Sequence, residues 1–252
     1  DLFREERYYV STPVSIHKLV ADRIKNYKSV DEYVKLYLTG WSEDINYGYR
    51  INIEAKTVGD WLKLLDHEKK AIVLLEKAYK LHPEYPEAPT LLISASKNFD
   101  NPYDPEKWFR KAIKAQVDYQ PAYDLLRMCY GYNTGVDMYR LSEMAREMAG
   151  SKRYDTDAPL QTVVTMMYIY YSMQDKSTSF YRYENHIQAN TILSDDSNVM
   201  LFDKIFSGYE SQAPEQLKNR YRAYDAGVSI LAQRYIDAYK AFKKVKGRID
   251  PN

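Results

Sequence analysis

The chain has 252 residues, with 36 Lys and Arg against 35 Asp and Glu, so its formal net charge is +1. Hydrophobic residues make up 45% and charged residues 28%, a globular composition that excludes low-complexity, collagen-like and disordered classes. A balance this close to zero argues against nucleic-acid binding, which needs clustered cations against phosphates. Cys129 is the only cysteine, so an intramolecular disulfide and any cage of several Cys ligands are excluded.

In chain order, apolar residues at helical spacing predict helices at 14–27 and 30–39, inside an irregular helical segment that runs to about residue 50. In the stretch Trp41 to Lys56, weak alternation over Tyr47 to Ile53 leaves room for a short hairpin; no convincing strand pair is found elsewhere. A helix at 56–66 precedes an amphipathic one at 69–82. There Ala71, Ile72, Leu75, Ala78, Tyr79 and His82 share a face opposite Lys69, Lys70, Glu76, Lys77 and Lys80. Pro83 and Pro86 end it, since proline cannot continue a helix interior. Further helices are predicted at 87–98, 105–117, 121–131, 136–149, 158–174, 178–193, 198–209, 214–230 and 233–246. Asp104-Pro105-Glu106 reads as a helix start with an Asp cap, Pro at the first helical position and an early acid. Gly150 and Gly247 read as stops. The longest apolar run, Val163 to Met173, contains Thr165 and Ser172 and is shorter than the ~20 residues a membrane-spanning helix needs. Domain organisation is read as the 1–50 segment followed by one helical domain over 51–252.

The most informative pattern is an internal repeat. Aligning residues 77–92 with 111–126, an offset of 34, gives seven identities: Lys77/Lys111, Ala78/Ala112, Lys80/Lys114, Tyr85/Tyr119, Ala88/Ala122, Leu91/Leu125 and Leu92/Leu126. That period, with small and large residues alternating at fixed offsets, resembles the tetratricopeptide repeat. Ala71, Leu75, Ala78 and Pro83 match the family's second helix, Tyr85-x-x-Ala88 opens the next unit, and Phe109, Ala112, Ala122, Tyr123, Leu126 and Tyr130 match the one after. Pro105, Ile93 and Arg127 depart from it, each standing where the family prefers a small residue. The resemblance covers 68–130, extends to 218–246 through Tyr224, Ala226, Gly227, Tyr235, Ala238 and Phe242, and is absent before 50. Trp108, Tyr119 to Leu126 and the polar loop Gly131 to Gly135 are also similar to bacterial tetratricopeptide-like domains of unassigned function.

No residue set carries catalysis. His17, His67, His82 and His186 have no second ligand at metal spacing; in His67-Glu68-Lys69-Lys70-Ala71, Ala71 stands where a zinc peptidase needs its second His. Ser15 to Lys18 and Ser94 to Lys97 have the Ser-x-x-Lys spacing of some acyl enzymes without companion motifs, and there is no Gly-rich phosphate loop. Cys129 reads as a buried inert thiol, and Met138, Leu141, Met144, Ala145 and Met148 as a helix seam. Tyrosine is the compositional oddity, at 26 residues against 7 Phe and 3 Trp. It reads first as a wedge between helices and second as an aromatic surface for a protein or a sugar. Lys240, Lys243, Lys244, Lys246 and Arg248 read as a solvated helix end.

The fold expected is all-α, a tetratricopeptide-like α-solenoid of stacked antiparallel hairpins. The resemblance implies a noncatalytic scaffold or adaptor that binds a peptide or partner protein, as one subunit of a larger assembly, without a metal, a cofactor or nucleic acid. Since the first helix of each pair lines the family's concave face, it implies Glu87, Thr90, Ser94, Lys97, Asp124 and Met128 as groove residues. The rival expectation is an exported glycan- or ligand-binding helical protein that uses exposed tyrosines, and a third is an enzyme site assembled from distant residues such as Glu184 and His186. The chain opens on Asp1 with no basic-then-apolar leader near its start, so the expectation is a processed mature form, a trimmed form or the ordered part of a longer chain; the compartment is left open, with the absent Met and the lack of a cytosolic signature favouring export slightly over the cytoplasm.

Overall fold

The computed structural model describes residues 14–44, 57–96, 104–131, 138–174 and 191–245. Every element among them is a helix. They are α1 (Val14–Ile24), α2 (Glu32–Glu43), α3 (Val58–Leu81), α4 (Glu87–Ser96), α5 (Pro105–Ala115), α6 (Gln120–Gly131), α7 (Met138–Met148), a 3₁₀ turn (Ala149–Ser151), α8 (Leu160–Gln174), α9 (Asp196–Gln212), α10 (Glu215–Leu231) and α11 (Tyr235–Lys244). The chain divides into two compact units, residues 1–129 and 130–252.

Helix starts are set by side chains that satisfy the first orphan amides. Asp31 accepts from Tyr33 N at 2.7 Å, and Asp104 accepts from Glu106 N at 2.9 Å with Pro105 in the first turn. Thr57 and Asp60 form a reciprocal capping box. The segments 56–66 and 69–82, read from sequence as two helices, are one helix, α3. No Gly or Pro interrupts Asp66 to Lys70, and an Asp66–Lys70 pair at 2.6 Å spans the join. Gly150 does not end α7 in the expected way: the chain tightens into the 3₁₀ turn and reverses at Lys152, at φ 51°. The predicted hairpin at 47–53, Gly247 and most of the predicted helix 178–193 lie outside the described residues.

In the first unit, α2 packs along α3, α3 against α4, and α4 against α5. The helical part of the 1–50 stretch is thus packed into the same unit as residues 58–129. Gly40 permits the close approach of α2 to α3: a Cβ there would lie 2.8 Å from Leu75 Cγ and 3.3 Å from Ala71 O. Tyr33 is buried against Ala78 and Ala88, with its ring edge-on to His82 and Tyr85 at 5.5 and 5.2 Å.

Several positions paired by the 34-residue offset share an environment. Ala78 and Ala112, Ala88 and Ala122, and Leu92 and Leu126 are all fully buried. The turns repeat too: His82 N donates to Ala78 O and Gln116 N to Ala112 O at 3.2 and 3.0 Å, while Tyr85 N to His82 O and Tyr119 N to Gln116 O are both 3.2 Å. Ile93 and Arg127, where the repeat pattern prefers small residues, are buried as well.

In the second unit, α7 packs on α8, α9 on α10, and α10 on α11. Leu141, Met144, Ala145 and Met148 form a buried seam, and Thr162 Oγ1 donates to Ala145 O at 2.7 Å. Tyr209 lies at the centre. Its hydroxyl donates to Thr156 O at 3.0 Å and accepts from Leu160 N at 2.9 Å, so it holds the loop before α8. Its ring stacks on Tyr221 at 3.7 Å and meets the edge of Tyr154 at 5.2 Å. Burial holds the Tyr209 hydroxyl well above the ordinary tyrosine range and pushes Tyr221 up to about 12. These tyrosines are core wedges.

Candidate functional site

In the first unit, the residues implied as groove-lining divide by environment. α4 reads Glu-Ala-Pro-Thr-Leu-Leu-Ile-Ser-Ala-Ser and is apolar around most of its circumference, so it is enclosed by its neighbours. Thr90 is therefore turned into the interior, 3% exposed, with its hydroxyl unpartnered. Glu87, in the first turn of α4, accepts from Tyr33 Oη at 3.4 Å, and Ser94 is half-buried. On α6, Asp124 accepts from Gln120 Nε2 at 3.0 Å and Arg127 Nη2 at 2.5 Å, while Met128 is 47% exposed. Cys129, buried as expected, donates to Ile93 O at 3.5 Å, so the C-terminal turns of α4 and α6 adjoin. Lys97 lies outside the described residues.

The second unit contains a concavity that sequence reading missed. A groove of about 510 Å³ is lined by α9, α10 and α11. Phe206, Tyr221 and Ala241, all buried, give it apolar walls, and charged side chains with Ser207 and Ser211 line the rest. Each helix contributes polar residues at helical spacing: Asp203, Ser207 and Glu210 on α9, Lys218, Arg222 and Asp225 on α10, and Asp237, Lys240 and Lys244 on α11. Three such stripes on consecutive helices were the available signal. Each alone reads as a solvated face.

Local backbone chemistry sets the geometry. At the end of α10, Gln233 N donates to Ile230 O at 2.9 Å and Arg234 N to Ser229 O at 2.8 Å, the pairing of a Schellman turn, with Gln233 at φ 60° in the position glycine favours. That turn carries Arg234 into the groove. Its guanidinium meets Asp203 at 3.1 Å across from α9 and Asp237 at 3.0 Å on α11. Toward the other end Arg222 grips Glu210 through Nε and Nη2 at 2.9 and 2.6 Å and donates from Nη1 to Lys244 O, the last carbonyl of α11, at 3.1 Å. Arg222 holds the Glu210 carboxyl below its usual range, and Lys240 with Arg234 does the same for Asp237.

Asp225 behaves oppositely. Burial pushes its carboxyl up to about 6, Asp203 adds to the rise, and Lys244 and Arg234 oppose it. Among the described residues its one hydrogen bond is from Ser229 Oγ at a long 3.5 Å. The groove thus combines a cavity, two cross-braced guanidinium groups and one carboxyl whose charge is disfavoured, features that mark binding sites. Among the described residues no group of three or more His, Cys, Asp and Glu is placed to hold a metal ion, and no helix is long and apolar enough to cross a membrane. No protein family, curated protein or solved structure matches the chain.

Proposed function

We propose that this chain is a noncatalytic scaffold or adaptor whose helix pairs stack in the manner of tetratricopeptide repeats and hold a peptide or a partner protein. One observation carries the reading: the 34-residue recurrence appears in sequence, in the fully buried pairs at 78/112, 88/122 and 92/126, and in the hydrogen bonds of the two turns. A helix pair of this size leaves an apolar face that its neighbour must cover, so such units stack and present a continuous surface to partners. In the first unit that surface includes Glu87, Ser94, Asp124 and Met128, with Thr90 withdrawn into the core.

The test is affinity purification of the tagged full chain from its native source, with mass spectrometry of what accompanies it. A partner in stoichiometric amount, retained by the wild type and lost with Met128→Glu, is the expected result. Recovery of the chain alone and monomeric would refute the scaffold reading.

A further inference from the structure

The groove of the second unit is lined by Asp203, Glu210, Asp225 and Asp237 together with Lys218, Arg222, Arg234, Lys240 and Lys244, and within that mixture one carboxyl stands apart. Glu210 is answered by Arg222, and Asp203 and Asp237 by Arg234. Asp225 shares the groove with both guanidinium groups, yet no ion pair reaches it among the described residues. Asp225 is half-buried, and a carboxyl partly drawn out of water normally finds a cation or several donors, because an unanswered charge there is costly. This one has a single distant hydroxyl. Local arrangements that break such a rule while their surroundings obey it mark functional positions.

We propose that the groove is a binding site for a guanidinium or ammonium group carried by a partner protein, with the Asp225 carboxylate as its acceptor. The groove already seats two guanidinium groups against carboxylates across its width, so a third of the same chemistry fits the local pattern. Phe206 and Tyr221 supply apolar wall for the aliphatic stem of an arginine or lysine. Ser211, whose hydroxyl donates to its own helix at Ser207 O and Gly208 O, keeps its oxygen free to accept. The volume of about 510 Å³ lies in the range of side-chain and small-ligand pockets. The charged groups that face Asp225 are Asp203 from α9, Arg234 from the turn before α11 and Lys244 from α11. Below about pH 6 a proton on Asp225 competes with the cation for the same carboxylate. A partner carboxylate would go instead to Lys244, the opposing cation, so the two ligand charges predict different dependences.

The test is an NMR titration of the ¹⁵N-labelled full chain with N-acetyl-arginine N-methylamide, which carries a guanidinium and no other charge, alongside N-acetyl-aspartate N-methylamide. The arginine probe should perturb Asp225, Ser229 and their groove neighbours. Its affinity should fall roughly tenfold from about pH 7 to about pH 5, because the guanidinium keeps its charge while a carboxyl near 6 loses most of its own. Asp225→Asn should weaken it at least tenfold at neutral pH, with the amide spectrum otherwise retained, and Lys244→Gln should strengthen it. Absence of perturbation in the groove, equal affinity at both pH values or in Asp225→Asn, weakening by Lys244→Gln, or preference for the aspartate probe would each overturn the proposal. Because the probe is a small molecule, its failure leaves the partner-capture result of the first unit unaffected.

Discussion

Replacing Gly208 by alanine sets two physical effects of opposite sign against each other. Gly208 lies inside α9, where helix propensity alone favours alanine by about 0.5–1 kcal/mol. The packing forbids it: the new Cβ would stand 2.1 Å from Tyr154 Cζ and 2.3 and 2.6 Å from Cε1 and Cε2. Favourable carbon contacts lie at roughly 3.5–4.0 Å, so the ring must withdraw by more than about 1 Å. It has little room, because it is buried and packs edge-on against Tyr209, whose hydroxyl ties down Thr156 and Leu160. Overpacking of this kind costs about 1–3 kcal/mol, and expelling the ring would forfeit a similar amount of burial. Net destabilisation of about 1–2 kcal/mol is expected, a fall in midpoint of roughly 2–8 °C for a chain of this length, read by thermal and urea unfolding with circular dichroism. A double-mutant cycle isolates the cause: in a Tyr154→Ala background Gly208→Ala should be neutral or stabilising. Unchanged or increased stability of Gly208→Ala in the wild-type background would refute the packing argument.

Three further outcomes are expected. Tyr209→Phe strips a donor from Thr156 O and an acceptor from Leu160 N in a buried site and should cost about 1–3 kcal/mol in denaturant unfolding. Gln233→Gly relieves a left-handed backbone at φ 60° and should stabilise by about 0.5–1 kcal/mol, with the Arg234 pairs intact, read by the same method. Asp225 has a folded-state carboxyl raised from 3.8 to about 6, so proton binding favours the fold; that stabilisation is complete below about pH 4 and lost as pH rises through about 6. The shift would correspond to about 3 kcal/mol if fully buried, and partial solvent access reduces this to about 1–2 kcal/mol. Asp225→Asn should accordingly be more stable than the wild type at neutral pH and show a flatter profile between about pH 4 and 7, measured as unfolding free energy against pH.

Much of the fold was legible in the chain because its cues are local. Asp104-Pro105 names a helix start by itself, and Pro83 names a stop, since caps and proline geometry act within one turn. The buried faces of α3, α5 and α7 follow from residues three and four apart. The alanines that the 34-residue offset pairs, Ala78/Ala112 and Ala88/Ala122, are all fully buried, as small residues on apolar helix faces lead one to expect. Where sequence reading failed locally, a tertiary or backbone detail decided: α3 runs through position 67, and α7 ends through a 3₁₀ turn and Lys152 rather than at Gly150. The groove was illegible for a different reason. Asp203, Asp225 and Lys244 are neighbours only because α9, α10 and α11 pack in succession and a Schellman turn brings Arg234 between them. Period and capping are properties of a few adjacent residues, so the chain alone specifies the all-helical class, most helix starts and the buried faces. Whether a charged stripe is a solvated face or one wall of a cleft depends on what stands opposite it, and desolvation of Asp225 depends on all three helices at once. Those relations exist once the three helices have packed, and a linear pattern does not contain them.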